Sequence, residues 1–183
     1  MKLYYSPGAC SLAAHIILNE INVDFDLEKV DLKTHKTSKG SDYYEINPKG
    51  YVPALEINPG LILTENVAIL PFLAQHDPKQ DLIPPSGMGR AKVLEWLGYL
   101  NSELHDAYAV FFGGHLTDDE KTKAYAEVDR LLKYIDNHLA ESEYDYGQII
   151  LSMTLCHIST SLHYVIKLLS VSLFKLQCVM KVY

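Results

Sequence analysis

The sequence predicts an α/β domain over residues 1–78 followed by an all-helical domain, and three observations point there. A short apolar strand runs into a Pro-Gly turn and then into a helix within the first 21 residues. The stretch 79–89, with Pro84, Pro85, Gly87 and Gly89, reads as a linker. Beyond it, apolar residues recur only at three-to-four spacing over two long stretches.

Leu3 to Tyr5 forms the first strand, and Leu12, Ile16, Ile17 and Ile21 give the first helix its buried face. Val23, Phe25 and Leu27 alternate as in a second strand, while the polar stretch 33–44 leaves room for a second crossover with a short helix. Leu55, Ile57, Leu61 and Leu63 alternate around Asn58-Pro59-Gly60, the composition of a hairpin turn. Thr64, Glu65 and Asn66 supply capping side chains for a helix carrying Val67, Leu70 and Leu73. Pro71 removes a hydrogen bond inside that helix and predicts a kink. The first 78 residues thus spell β-α-β-α-β-β-α.

In the second part, residues 90–183, Val93, Leu97, Leu100, Leu104 and Phe111 mark one long helix ending at Gly113-Gly114. Thr117-Asp118-Asp119-Glu120 is a capping box, and Ala124, Val128, Leu131, Ile135 and Leu139 carry the next helix. After Asp145 no acidic residue occurs, and after Gly147 no glycine or proline, so residues 146–183 are atypical of the rest. The uncharged run 149–166 carries two histidines and several Ser and Thr residues, too polar for a membrane span.

Of the residues, 48% are hydrophobic, enough for a real core, and the net charge is -7. An acidic chain without a basic block has no electrostatic footprint for nucleic acid or an anionic membrane, so the expected partner is a small molecule. The N-terminus lacks the apolar run of a signal peptide, which places the protein in the cytoplasm. Cys10, Cys156 and Cys178 form neither a CxxC pair nor a metal-ligand spacing and are expected as free thiols, with no metal bound.

Cys10 stands at the start of the first helix, where unpaired N–H groups and partial positive charge stabilise a thiolate. Ser11 and the hydroxyl of Tyr5 are candidate donors to it; the alternative is a buried cysteine packed as a small hydrophobe. Val52-Pro53 precedes the hairpin, and its proline is either a cis peptide that turns backbone groups outward or a plain edge-strand proline. Glu65 and Asn66 open a helix, so they either cap it or take the carboxylate and ammonium of a ligand. On the long helix Leu94, Asn101, His105, Tyr108 and Phe112 share one stripe.

These residues resemble those of the bacterial beta-class glutathione transferases. The likeness covers about residues 1–145 and rests on MKLYYSPGACSL, INPKGYVPAL, LTENVAI and SELHD in the family's order. The resemblance implies a thioredoxin-like first domain, an all-helical second domain, and glutathione as co-substrate, attacking a small apolar electrophile. It implies that Cys10 lies beside the glutathione sulfur and that His105 donates to the sulfur site, where Tyr5 and Ser11 are the candidate donors already read from the residues. It further implies that Val52, before a cis Pro53, pairs with the glutathione cysteine unit, that Glu65 and Asn66 hold the γ-glutamyl end, and that His35 and Ser102 complete the binding set. Homodimers are usual in the family.

Four positions depart from the family's pattern. His35 replaces a lysine that meets the glycine carboxylate, Asn66 a serine, Asp106 a lysine and Gly98 an asparagine, so carboxylate binding is expected to be weaker or differently arranged. The ending after Tyr146 lacks the family's helices, which points to a change of reading frame there. Two other functions compete with transfer: a glutaredoxin-like monothiol oxidoreductase using Cys10, and a non-catalytic binding module.

Overall fold

A computed structural model gives the fold, and the residues it describes are 1–79, 82–112 and 115–141. Strand β1 (Lys2–Tyr5) is central in a five-stranded mixed sheet. It pairs in parallel with β2 (Asp26–Asp31), and α1 (Leu12–Glu20) supplies the crossover that parallel pairing requires. The short β3 (Lys36–Thr37) pairs antiparallel with β2 at one edge. On the other side β1 meets β4 (Ala54–Asn58), which turns at Pro59-Gly60 into the edge strand β5 (Leu61–Thr64), as the hairpin signal implied.

Two details differ from the sequence reading. The second strand starts at Asp26, because its alternation continues through Glu28 and Val30 rather than beginning at Val23. The second crossover holds no α-helix, only β3 and a 3₁₀ turn, Tyr43–Glu45, whose Tyr44 N–H is accepted by the Asp42 carboxylate at 2.9 Å. Asp31, Thr37 and Asp42 side chains accept from nearby backbone N–H groups, which favours turns over helix.

Strand alternation divides the core. Leu3 and Leu55 face α1 and α2 (Asn66–Ala74), packing with Ala13, Ile17, Leu70 and Leu73, whereas Tyr4, Val30 and Ala54 form a smaller cluster with Tyr43 and Val52. α2 runs unbroken through the buried Pro71, so the expected kink does not interrupt it.

The larger cluster continues into the helical part. Helix α3 (Gly87–Tyr99) begins inside the stretch read as a linker, and Leu82 and Ile83 just before it are buried. The expected single long helix contains a π turn, Leu100–Leu104, before it resumes as α4 (His105–Ala109). α5 (Asp118–Glu141) opens with the capping box read from sequence: Thr117 N–H donates to Glu120 Oε2 at 2.9 Å, and Glu120 N–H to Thr117 Oγ1 at 3.3 Å. Leu97, Leu100, Leu104, Val128, Leu131 and Ile135 join Leu3 and Leu70 in one apolar core, each buried side chain contributing about 1.5 to 3 kcal/mol. Both parts of the chain therefore pack as one body.

Among the described residues no helix is long and apolar enough to cross a membrane. Residues 142–183, with Cys156, Cys178 and the expected frame change near Tyr146, lie outside the described residues.

Candidate active site

Cys10 follows a tight turn at Pro7-Gly8, where Gly8 takes a positive φ of 72°. The turn is tied by Ser11, whose buried hydroxyl donates to the Ser6 carbonyl and accepts the Ser6 N–H, both at 3.2 Å. A hydroxyl has one proton, so Ser11 acts on the thiol through its backbone N–H and not through its side chain. Tyr5 also stands elsewhere: its ring packs against the main core and the His15 ring, 6.0 Å between centroids, and it does not line the cleft holding Cys10.

The thiol donates to the Val52 carbonyl oxygen at 3.2 Å. Burial pushes it up to about 11, the negative charge of Glu65 adds to the rise, and the amides of Cys10 and Ser11 only partly offset it. This corrects the expectation of a helix-stabilised thiolate. Loss of solvent outweighs the helix end, and the resting Cys10 is a neutral thiol.

A cleft of about 710 Å³ brings Cys10, His35, Val52 and His105 together with Tyr108 and Phe112. The first domain gives its floor and one wall; α4 and the turn after it give the other. The Val52–Pro53 peptide is cis, and β4, which follows it, is an internal strand, so the edge-strand alternative does not apply. The Tyr51 carbonyl before it accepts from Tyr43 Oη at 2.9 Å and Asn47 Nδ2 at 2.8 Å, which fixes that wall.

His35, at φ 50°, stacks on Tyr44 with ring centroids 4.5 Å apart. Its Nδ1 is buried and has no hydrogen-bond partner in the protein among the described residues. Gly50 lies against both rings; a Cβ there would stand 2.8 Å from Tyr44 Cε1 and 3.0 Å from His35 Nδ1. Burial holds His105 below the usual histidine range, with Asp106 working in the opposite direction, so the imidazole is neutral near neutral pH.

Glu65 and Asn66 do not cap α2 as expected. Glu65 has a φ of 69° and makes no side-chain cap; its carboxylate accepts from Lys49 Nζ at 2.6 Å, and Lys49 also reaches Thr64 Oγ1 at 3.2 Å. Asn66 instead donates from Nδ2 to the Cys10 carbonyl at 3.0 Å, while its buried Oδ1 has no protein partner among the described residues. Sequence reasoning missed Lys49, because no spacing rule links it to Glu65. Ser102 is exposed on the π turn, donates to the Gly98 carbonyl at 2.9 Å, and does not line the cleft. Among the described residues no group of three or more His, Cys, Asp or Glu could hold a metal ion.

The arrangement resembles known proteins. Residues 1–75 match the family model described as "Glutathione S-transferase, N-terminal domain". Glutathione S-transferase GstA of Escherichia coli O157:H7 is 41% identical over 149 residues, covering 81% of this chain and 74% of the relative. A solved sphingomonad glutathione S-transferase complexed with glutathione superposes with a TM-score of 0.81 at 38% identity, covering 86% of this chain and 81% of that one. A beta-class glutathione S-transferase of Sphingomonas chungbukensis gives a TM-score of 0.82 at 37% identity, covering 89% and 83%.

Proposed function

Because the chain belongs to the glutathione S-transferase family, we propose that it works as a bacterial beta-class enzyme, joining the sulfur of reduced glutathione to small apolar electrophiles. The observation that carries this reading is the cleft itself. Cys10, Val52, His35 and His105, drawn from four separate segments, face one volume large enough for a peptide and a second substrate.

In this reading the peptide lies along the Val52 backbone, with its amino end toward Glu65 and Asn66 and its glycine end toward His35. Two buried atoms without protein partners among the described residues, Asn66 Oδ1 and His35 Nδ1, support it, since buried polar groups are ordinarily paired. When the peptide takes the Val52 carbonyl, the neutral Cys10 thiol is released to donate toward the glutathione sulfur, as does the ring N–H of His105. Glutathione gives up its thiol proton to solvent, and the thiolate attacks the electrophilic carbon. A carbon–sulfur bond forms and the leaving group departs with its bonding pair. Tyr108, Phe112 and Leu32 supply the apolar side for the second substrate.

A neutral Cys10 favours conjugation over thiol exchange, because exchange needs the protein's own thiolate. Retention on immobilised glutathione and conjugation of an aryl halide test the reading together. Both are expected to survive Cys10→Ser. A protein that reduces disulfides through Cys10 but conjugates nothing is an oxidoreductase, and one that does not bind glutathione is neither.

The same reading includes a cytoplasmic homodimer. Tyr51, next to the cleft, is 73% exposed, and Leu61 and Met88 are also exposed apolar side chains suited to a partner surface. Sedimentation at micromolar concentration tests this, with a monomer overturning it. We attribute residues 146–183 to a change of reading frame, on their shift in composition and their departure from the family's sequence pattern. Translating all frames of the gene tests that.

A further inference from the structure

Asn66 is the first residue of α2 and is 4% exposed, yet its side chain serves a different helix. Its Nδ2 donates to the carbonyl oxygen of Cys10 at 3.0 Å, across 56 residues of sequence. That carbonyl also accepts the Ala13 N–H at 3.3 Å as the chain enters α1. Only the NH₂ edge of an amide can face a carbonyl, so the orientation of the side chain is set by its partner.

The thiol of the same cysteine donates to the Val52 carbonyl. Cys10 is thus fixed at two points, through its backbone by Asn66 and through its sulfur by the residue before Pro53. Asn66 is placed for this by Glu65, whose φ of 69° bends the chain between β5 and α2. Lys49 ties that bend through both Thr64 and Glu65.

We propose that Asn66 is a positioning residue: it clamps the Cys10 carbonyl and so keeps the part-buried thiol seated against Val52 at the edge of the cleft. The proposal rests on Cys10 belonging to the glutathione site, but it concerns the free protein. With the clamp gone, the turn before α1 loosens and more of the sulfur is exposed to water. The burial that raises the thiol is then the first effect to weaken. Among the described residues, the other charged or titratable groups around the thiol are Glu65 at the start of α2, paired with Lys49, His35 before β3, Tyr51 before Pro53, and His105 and Tyr108 on α4. Neither test substitution alters any of them.

The test uses the full chain with Cys156→Ser and Cys178→Ser, so that only Cys10 reacts with iodoacetamide. Alkylation rate is followed against pH in this background and with Asn66→Ser or Asn66→Ala added. The background midpoint is expected near 11. In both variants it should fall toward the free-cysteine value of about 8.5. At mildly alkaline pH the rate should rise about threefold for each unit of fall, since the gain in thiolate is partly offset by its lower nucleophilicity. Serine suits a helix start, so Asn66→Ser decides if Asn66→Ala does not fold. An unmoved midpoint, whatever happens to the melting temperature, overturns the proposal and leaves Asn66 a merely structural residue. No glutathione is present in the assay, so retention of the same proteins on immobilised glutathione reports separately on the proposed function.

Discussion

The Cys10 thiol donates to the carbonyl oxygen of Val52 at 3.2 Å, joining the turn before α1 to the residue preceding the cis proline. The helix end behind the sulfur does not make it a thiolate, because burial in this contact outweighs the amides that point at it.

That contact has a signature in stability. The folded thiol titrates at about 11, above its unfolded value, so its contribution is complete below about pH 8.5 and is lost as pH rises through the folded value. The loss is about 3 kcal/mol. Chemical denaturation of the wild type and Cys10→Ala at intervals between those limits measures it as a difference, which cancels the tyrosines and lysines titrating in the same range.

His15 behaves in the opposite sense. Its ring lies between Phe25, at 5.7 Å, and Tyr5, and burial lowers its proton affinity. Its stabilising contribution is present above the unfolded value of about 6.5 and is lost as pH falls through the lower folded one. His15→Gln should flatten that part of the acid denaturation profile, while an identical slope would place the acid sensitivity elsewhere.

Gly50→Ala tests the His35 wall. A Cβ at Gly50 meets Tyr44 and His35 at 3.0 Å or less, and the φ of 73° disfavours any side chain. A stability loss of about 1 to 2 kcal/mol is expected from the backbone alone. The KM for glutathione should rise several-fold with a smaller change in kcat, as steady-state kinetics would show.

The shared core predicts a single transition. Leu3 lies in the sheet and Trp96, the only tryptophan, on α3, yet both belong to one apolar cluster. Leu3→Ala should destabilise by about 2 to 5 kcal/mol. It should shift the Trp96 fluorescence transition and the circular dichroism transition together; separate midpoints would mean that the two parts unfold independently.

Much of this was legible in the sequence wherever one local signal decided the outcome. The Asn58-Pro59-Gly60 hairpin and the Thr117–Glu120 capping box formed as read, since each depends on neighbouring residues alone. Cys10, His35, Val52 and His105 do face one cleft; Cys10, Val52 and His105 stood out from their own segments, but His35 and the meeting of all four came only through the resemblance to a family. What escaped was set by distant partners. Asn66 looked like a cap until Cys10 claimed its amide, Glu65 until Lys49 claimed its carboxylate, and the Ser11 hydroxyl looked like a thiol donor until Ser6 took its proton. The state of the thiol escaped too, because position on a helix can be read from sequence and desolvation cannot.

Calorimetric titration of reduced glutathione into the wild type and Glu65→Gln tests the central claim most directly. The expected result is one saturable site per chain, bound more weakly when the Glu65 charge is removed. An absence of saturable heat in the wild type would contradict the glutathione site, and equal affinity in the two proteins would contradict its placement between Cys10 and Glu65.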